Sequence, residues 1–181
     1  GVVVPPTDLG PEEDANGWVP PFATAFDFVP FEGVHLVTGP LYHRGPGIWA
    51  LVTLHLGHTI VLMSKFDPAK MLELIDRHKV TSSHIVPTVF LRMLQIPEER
   101  RARYDTSSLQ QILHAAAPCP VHVKRAMIDW LGPVLWEYYG STEGGGTMVR
   151  PEEFQAHPGS VGRPWPGAKI RITDEHRRPL P

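Results

Sequence analysis

The feature that most constrains this chain is a regular alternation of short apolar runs with longer amphipathic segments. Runs with the length and composition of strands occur at residues 34–38, 59–63, 80–86, 109–113 and 134–139. Segments of helical length lie between them, at residues 48–56, 68–79, 87–94 and 123–131. Strands that alternate with helices in this way predict right-handed βαβ units. We therefore predict an α/β fold, a parallel sheet with helices on both faces, followed by the start of a β-rich region.

Two of the helices carry signals at particular residues. Asp67 is followed by Pro68, and an acidic N-cap with proline at the first helical position predicts a helix start there. The last helix of the series has one continuous apolar face, formed by Val123, Ala126, Met127, Trp130 and Leu131.

The segments before and after the core have a different character. Residues 1–32 are rich in proline and acidic residues and predict a loop segment, whereas residues 33–158 form the α/β core. Residues 159–181 start the β-rich region, with a strand at 169–173 and no helix between the core and that strand. The chain lacks an initial methionine and ends on a predicted hairpin turn at residues 177–181 without its return strand, so we expect a piece of a longer protein.

Composition excludes several classes of function. The net charge is −2 and no basic run occurs, which argues against a nucleic acid or an anionic membrane as partner. No apolar stretch approaches the roughly 18 residues of a spanning helix, so we predict no transmembrane segment. The single cysteine, Cys119, excludes an internal disulfide framework and fits the reducing cytoplasm.

The last strand of the series runs into the most informative segment. It reads Tyr138-Tyr139-Gly140-Ser141-Thr142-Glu143-Gly144-Gly145-Gly146-Thr147. The chemistry suits a magnesium-bound nucleotide, since an aromatic ring can pack against the base, hydroxyls can contact phosphate oxygens and a carboxylate can bind Mg²⁺. The glycines allow a ligand to approach the backbone closely. An alternative is a helix capped by Ser141 or Thr142, although each following glycine disfavours a helix by roughly 1 kcal/mol. A plain glycine-rich turn remains open as well.

Two further polar segments follow predicted strands. His43 comes shortly after the first strand, and residues 114–118 follow the fourth. Because ligands bind at the carboxyl ends of the strands in open α/β sheets, we expect both segments beside residues 139–143. For His43 the alternative is a strand-end histidine that hydrogen bonds to backbone, and the residues alone favour that alternative.

Three other groups of residues are predicted to be structural. His55 and His58 have the spacing of a metal pair, but no carboxylate or cysteine lies near them in sequence, so we do not expect zinc. Cys119 would need a base to act as a nucleophile, and His122 is only its neighbour in sequence, so we expect a half-buried thiol. Residues 98–103 predict a charged, solvated loop.

Three more segments accompany the one around Gly140. They are Gly39-Pro40-Leu41-Tyr42-His43-Arg44-Gly45, His114-Ala115-Ala116-Ala117-Pro118-Cys119 and Gly159-Ser160-Val161-Gly162-Arg163-Pro164-Trp165-Pro166-Gly167. All four resemble motifs of the adenylate-forming superfamily, which includes acyl-CoA synthetases, peptide-synthetase adenylation domains and luciferases. They occur in the family's order and cover residues 39–181, so the chain resembles the middle of the large N-terminal domain.

The resemblance implies an activity and roles for residues. Members of the family use ATP to convert a carboxylic acid to an acyl-adenylate and then transfer the acyl group to coenzyme A. Tyr139 would pack near adenine, Thr142 would contact the phosphates and Glu143 would hold Mg²⁺. His43 would lie near the carboxylate and complete the catalytic group. The implied nucleotide-binding residues are Ala115, Ala116, Ala117, Pro118, Tyr138, Tyr139, Gly140, Ser141 and Thr142.

Departures from the family pattern add further expectations. Ala115 stands where glycine is common, so its methyl group is expected to narrow the acyl tunnel or press on adenine. The family's phosphate loop, ribose-binding aspartate and lid lysine do not occur in these residues, so we expect an inactive fragment of a cytoplasmic acyl-CoA synthetase for a fatty acid. Ser141 favours a CoA ligase over a peptide-synthetase adenylation domain. A non-catalytic nucleotide-binding module is the other alternative.

Overall fold

The computed structural model of the chain describes residue 19, residues 23–141 and residues 144–180. Five parallel strands make up most of its sheet: β1 (Val34–Val37), β2 (Thr59–Leu62), β3 (Ser82–Ile85), β4 (Gln111–His114) and β5 (Leu135–Ser141). Two antiparallel strands, β6 (Gly144–Val149) and β7 (Arg163–Pro164), extend it. The strand order is β2-β1-β3-β4-β5-β6-β7.

Helices connect the parallel strands. In the described residues they are α1 (Arg44–His55), α2 (Pro68–His78), α3 (Pro87–Leu94), α4 (Glu98–Arg101), α5 (Val121–Leu131) and α6 (Pro151–Ala156). Each crossover between neighbours in sequence from β1 to β5 contains at least one of them, which confirms the predicted βαβ pattern. No helix in this part of the chain is long and apolar enough to cross a bilayer.

The start of α2 shows how the local sequence sets an element. The Asp67 side chain accepts a hydrogen bond of 2.7 Å from the backbone N–H of Lys70, and Pro68 occupies the first helical turn. This satisfies one of the free N–H groups at the helix start. At the other end Lys79 adopts a left-handed conformation with φ of 49°, which stops the helix. The predicted start at Asp67 is confirmed.

Helices cover both faces of the sheet, as predicted. In β4, Ile112 packs into a core with residues of α2, α3 and α5, whereas Leu113 packs into a core with α1. Successive side chains of a strand point to opposite faces, so the two cores lie on the two sides of the sheet. The α1 side is rich in aromatic residues, among them Phe26, Trp49 and Trp136.

The chain after β5 differs from the prediction. Strand β6 returns antiparallel to β5, so the sheet is mixed rather than wholly parallel. Helix α6 follows, where no helix was expected. Its start carries Pro151 in the first turn, and the Glu153 side chain accepts a hydrogen bond of 3.1 Å from the Arg150 N–H. Six residues are too few to show helical periodicity, which is why the pattern missed this helix.

The predicted strand at residues 169–173 is also wrong. Thr173 forms one isolated bridge with Pro179, and the side chains of Ile170 and Ile172 are largely exposed. Without a neighbouring strand or core to bury them, these apolar side chains do not hold an extended ladder. The turn lies earlier than predicted, since Asp174 N–H donates to the Arg178 carbonyl, and the return residues are present. Pro181, in the predicted turn, lies outside the described residues.

The described part of the predicted N-terminal loop segment contains some regular structure. Residues 23–25 are helical, and Phe26 and Phe28 are buried in the core beside α1. Residues 1–18 and 20–22 lie outside the described residues. The division of the chain at residues 32/33 and 158/159 stays a prediction.

Candidate active site

A cavity of about 900 Å³ opens at the carboxyl ends of the parallel strands. Residues at the ends of β3 and β5, residues that follow β1 and β4, and the first turns of α1 line it. Its walls are mainly apolar and aromatic, with a small number of polar groups. Size, lining and position are those expected for a small-molecule site in an open α/β sheet.

The structure gathers several of the predicted site residues around this cavity. His43, Ala115, Ala116, Tyr138, Gly140 and Ser141 line it. Ala117, Pro118 and Tyr139 are not lining residues, and the Tyr139 side chain is 64% exposed. Thr142 and Glu143 lie outside the described residues, so their roles stay predictions. The cavity therefore brings together segments that are far apart in sequence.

His43 occupies the N-cap position of α1. Its backbone carbonyl accepts a hydrogen bond of 3.0 Å from the Gly47 N–H, while its imidazole makes no capping bond and is exposed at the cavity. The ring lies 4.7 Å from the Tyr42 ring, centroid to centroid. The first turn of α1 lines this end of the cavity. The N-terminal end of a helix favours a negatively charged group.

A hydrogen-bonded set of aromatic side chains forms the wall on the α1 side. Trp49 Nε1 donates to Tyr138 Oη at 3.2 Å, and Tyr138 Oη lies 3.0 Å from His84 Nε2. Trp165 stacks at a tilt on Tyr138, with ring centroids 6.3 Å apart. Burial raises the pKa of the Tyr138 hydroxyl and lowers the pKa of His84 to about 4, so both groups are uncharged at neutral pH.

Several lining residues were not predicted from the sequence. His84 lies near the end of β3, while Phe66 and Val89 come from other sides of the cavity. The rule that placed His43 and residues 114–118 at strand ends applies equally to His84. The polar sequence Ser82-Ser83-His84 could have indicated a site residue near the end of this strand. Without the residues that contact it in the fold, however, it looks like part of an ordinary strand.

A buried charged cluster lies directly beneath the site. Lys124 Nζ donates to Glu137 Oε2 at 2.9 Å and lies 4.1 Å from the centre of the Phe154 ring. The Lys124 side chain is fully buried, and His114 Nε2 is 3.8 Å from the same carboxylate oxygen. Burial lowers the pKa of Lys124, and the Glu137 carboxylate opposes that shift. Burial, together with the Lys124 charge, holds the pKa of His114 well below its usual value.

This cluster lies next to two segments that line the cavity. Glu137 immediately precedes Tyr138 in β5, and His114 immediately precedes Ala115 in β4. The two residues are partners in the register of those strands. Lys124 belongs to α5, the helix that follows the loop of residues 115–118. The ion pair therefore joins the helix that follows this loop to β5.

The loop contains a strained residue. Ala116 has φ of 72°, in the left-handed region that favours glycine. Such strain persists only where the surroundings determine the conformation, and it concentrates at functional sites.

Replacing Ala116 by glycine is expected to raise the free energy of unfolding, by up to about 1 kcal/mol. Glycine removes the cost of a left-handed conformation, which is roughly 1–2 kcal/mol. It also gives the unfolded chain more conformational freedom, which lowers the free energy of unfolding by about 0.4–1 kcal/mol. Urea denaturation measures the change. Ala117→Gly is the matched control, because Ala117 is exposed and has no positive φ, and it should lose stability. Equal losses in the two variants would contradict the strain at Ala116.

The residues predicted to be structural have local partners. His55 Nδ1 donates to the Leu51 carbonyl at 2.9 Å, and His58 Nε2 donates to the Val29 carbonyl at 2.8 Å. The described residues contain no group of three or more side chains placed to hold a metal ion. Cys119 is half-buried, and burial raises the pKa of its thiol to about 11, so it is protonated at neutral pH.

Comparison with known proteins gives consistent matches. The family model described as AMP-binding enzyme matches residues 16–181. A long-chain-fatty-acid–CoA ligase of Bacillus subtilis is 35% identical over 151 residues, which cover 80% of this chain and 26% of that protein. A medium/long-chain-fatty-acid–CoA ligase of Mycobacterium tuberculosis is 30% identical over 149 residues, which cover 80% of this chain and 25% of that protein.

A solved structure shows the same architecture. The amide bond synthetase McbA of Marinactinospora thermotolerans superposes with a TM-score of 0.81 at 27% identity, over 92% of this chain and 33% of that one. This chain spans about a quarter of the length of the curated relatives it matches.

Proposed function

Because this chain belongs to the AMP-binding enzyme family, we propose that it forms part of the active site of an ATP-dependent acyl-CoA synthetase. The carboxylate of an acid, a fatty acid in the relatives named above, attacks the α-phosphorus of ATP and pyrophosphate leaves. The thiol of coenzyme A then attacks the acyl-adenylate and releases AMP. The observation that carries the proposal is that all four motif segments contribute residues to one cavity at the carboxyl ends of the strands.

The residues of the cavity fit a nucleotide. Its volume of about 900 Å³ lies within the range of small-molecule pockets. Ala115 and Ala116 offer a flat, small-residue wall, with Ala117 and Pro118 continuing the loop beyond it. Tyr139 is 64% exposed beside Gly140 and Ser141 and lies outside the cavity lining. Its proposed place near adenine rests on the family motif. The first turn of α1, with His43 at its cap, faces the place proposed for the reacting carboxylate.

The phosphate and metal groups are assigned to residues beyond the described ones. Thr142 is proposed to contact the phosphates and Glu143 to hold Mg²⁺. A single carboxylate fits this ion, which is usually held by one or two carboxylates together with substrate phosphates. When bound, Mg²⁺ would neutralise charge that develops on the phosphate oxygens. His43 is proposed to orient the carboxylate by a hydrogen bond.

Two further proposals concern the chain as a whole. We expect the 181 residues alone to be inactive, since they lack the family's phosphate loop and lid lysine. We also place the protein in the cytoplasm, on the basis of its single cysteine.

The proposal is tested by ATP–pyrophosphate exchange with the complete gene product and a panel of fatty and aromatic acids. We expect acid-dependent exchange, and a loss of at least about tenfold in Glu143→Ala, because a metal ligand is removed. Glu99→Ala is the control, since it removes an exposed carboxylate from α4, outside the cavity lining. The absence of exchange with every acid, or full exchange in Glu143→Ala, would contradict the proposal. Exchange by the 181 residues alone would contradict only the expected inactivity.

A further inference from the structure

Arg44 brings a positive charge to the wall of the cavity. It is the first residue of α1, it is exposed, and it lines the cavity next to His43. The described residues that line the cavity include no aspartate, glutamate or lysine. In the same part of the chain, no ion pair involves Arg44. Because a guanidinium group stays charged in proteins, the cavity carries a cation without a counter-ion among its described lining residues.

The charge of Arg44 acts on the cavity wall as well as on the solvent side. Burial raises the pKa of the Tyr138 hydroxyl, whereas the hydrogen bond from Trp49 and the charge of Arg44 oppose that rise. The hydroxyl that responds to Arg44 is the one that bridges Trp49 and His84 in the wall on the α1 side. A ligand that lies against this wall is therefore close to the guanidinium group.

The stability of α1 does not explain a cation at this position. The N-terminal end of a helix has a partial positive charge, so an acidic residue stabilises the first turn and a basic residue opposes it. The first turn of α1 contains no acidic residue that would offset Arg44, whereas the first turn of α6 contains Glu152 and Glu153. The guanidinium group and the helix end thus favour the same kind of ligand, an anion.

The proposed reaction leaves this cation without an assigned anion. The ATP phosphates are assigned to Thr142, and the reacting carboxylate is assigned to His43. The other walls of the cavity are mainly apolar, where an unpaired charge is costly. A carboxylate matches a guanidinium group well, because its two oxygens accept two parallel N–H hydrogen bonds.

We propose that Arg44 is a specificity-determining residue that pairs with a second carboxylate in the acyl portion of the acid. This inference rests on the proposed acyl-CoA synthetase function of the same cavity. The substrate is then a dicarboxylic acid, of which one carboxylate attacks the α-phosphorus of ATP and the other stays ionised beside Arg44. A cavity with only apolar walls would prefer the monocarboxylic acid, since it would have to desolvate the second charge of the diacid without a partner.

The test compares matched acids in ATP–pyrophosphate exchange by the complete gene product. Each straight-chain monoacid from butanoic to dodecanoic acid is paired with its α,ω-diacid, and cinnamic acid is paired with its para-carboxy derivative. We expect at least one diacid to exceed its monoacid by about tenfold in kcat/KM. This is the lower end of the effect of a hydrogen bond to a charged group, because Arg44 is exposed.

Variants of Arg44 connect the preference to the guanidinium group. In Arg44→Met the diacid should become the poorer substrate, whereas Arg44→Lys should keep part of the preference, since it retains the charge without the paired N–H groups. Arg125→Met is the matched control and should keep the wild-type ratio, because Arg125 is an exposed helical arginine outside the cavity lining. Arg44→Met should also lose no stability in urea denaturation, because the cation opposes the helix dipole.

The other outcomes separate this inference from the proposed function. Exchange with no acid would overturn the proposed function itself. If no diacid exceeds its monoacid, or if Arg44→Met slows exchange with both acids equally, only the role of Arg44 is overturned. If Arg44→Met does not fold, the ratio is measured in the wild-type protein at increasing KCl concentration. A preference that weakens as salt screens the pair supports the inference, and an unchanged preference overturns it.

Discussion

Replacement of Lys124 by methionine is expected to lower the free energy of unfolding by about 3–5 kcal/mol, the range seen when one partner of a buried ion pair is removed. Methionine retains the length of the side chain and its contact with the Phe154 ring. It removes the cation that lies 2.9 Å from Glu137 Oε2, in a place where neither side chain is well solvated. The Glu137 carboxylate is then left buried without its counter-ion. Urea denaturation followed by circular dichroism measures the loss.

A matched lysine provides the control. Lys70 forms an ion pair with Glu73 at 2.6 Å, but both side chains are nearly half exposed. Lys70→Met should therefore cost no more than about 1 kcal/mol. A similar loss in the two variants would show that burial of the Lys124 pair has no special effect.

A second variant separates the charge from the packing. When Lys124→Met is combined with Glu137→Met, no unpaired charge remains. Replacement of a buried ion pair by apolar residues of similar size is often neutral or stabilising, so we expect most of the lost stability to return. Failure to recover would mean that the polar contacts of Glu137, including the one near His114, stabilise the fold independently of Lys124.

The same pair has a consequence for binding. Lys124 and Glu137 connect the helix after residues 115–118 to the strand that continues into Tyr138. These are the two segments proposed to surround adenine. If the pair positions them, the double variant should recover stability yet bind ATP more weakly than the wild-type protein.

Much of the fold follows from the sequence because parallel strands buried on both faces leave a strong signal. The runs that became β3 and β4 are completely buried, and α3 between them ends at Leu94 as predicted. Residues 98–101, predicted to belong to a charged loop, form the short helix α4 instead. Asp67 and Pro68 marked the start of α2 because capping depends on adjacent residues. The elements that were missed depend on distant neighbours. Helix α6 is too short for periodicity, and residues 169–173 would need a partner strand.

The candidate site was predictable in its location but not in its chemistry. The strand-end rule predicted that His43 and residues 114–118 lie at one rim of the sheet. It gave no sign that Tyr138 would be tied to Trp49, which lies 89 residues away in sequence. The same holds for Lys124 and Glu137, which are 13 residues apart in sequence and were not singled out. Contacts across the sheet depend on register and helix packing, which a linear pattern does not contain.

Gly162 provides a test of how the segment of residues 159–167 is attached to the sheet. Its φ is 82°, and a side chain there would overlap the Met148 carbonyl group and lie 2.7 Å from the Val149 nitrogen. Met148 and Val149 belong to β6, whose pairing with β7 begins beside Gly162. Trp165, the residue directly after that pairing, reaches the cavity wall. Gly162 thus allows the close approach that places Trp165 in the site.

Gly162→Ala is expected to lower the free energy of unfolding by at least about 3 kcal/mol, since backbone strain is joined by a clash that separates β7 from β6. Gly167→Ala is the control, because Gly167 has φ of 83° but nothing within 4 Å of the added carbon. Gly167→Ala introduces the backbone strain without the clash, so its free energy of unfolding should fall by only about 1–2 kcal/mol. Urea denaturation gives both values, and the indole N–H resonance of Trp165 should move in Gly162→Ala alone. Equal losses, with Trp165 unmoved in both variants, would mean that the close approach at Gly162 does not position the cavity wall.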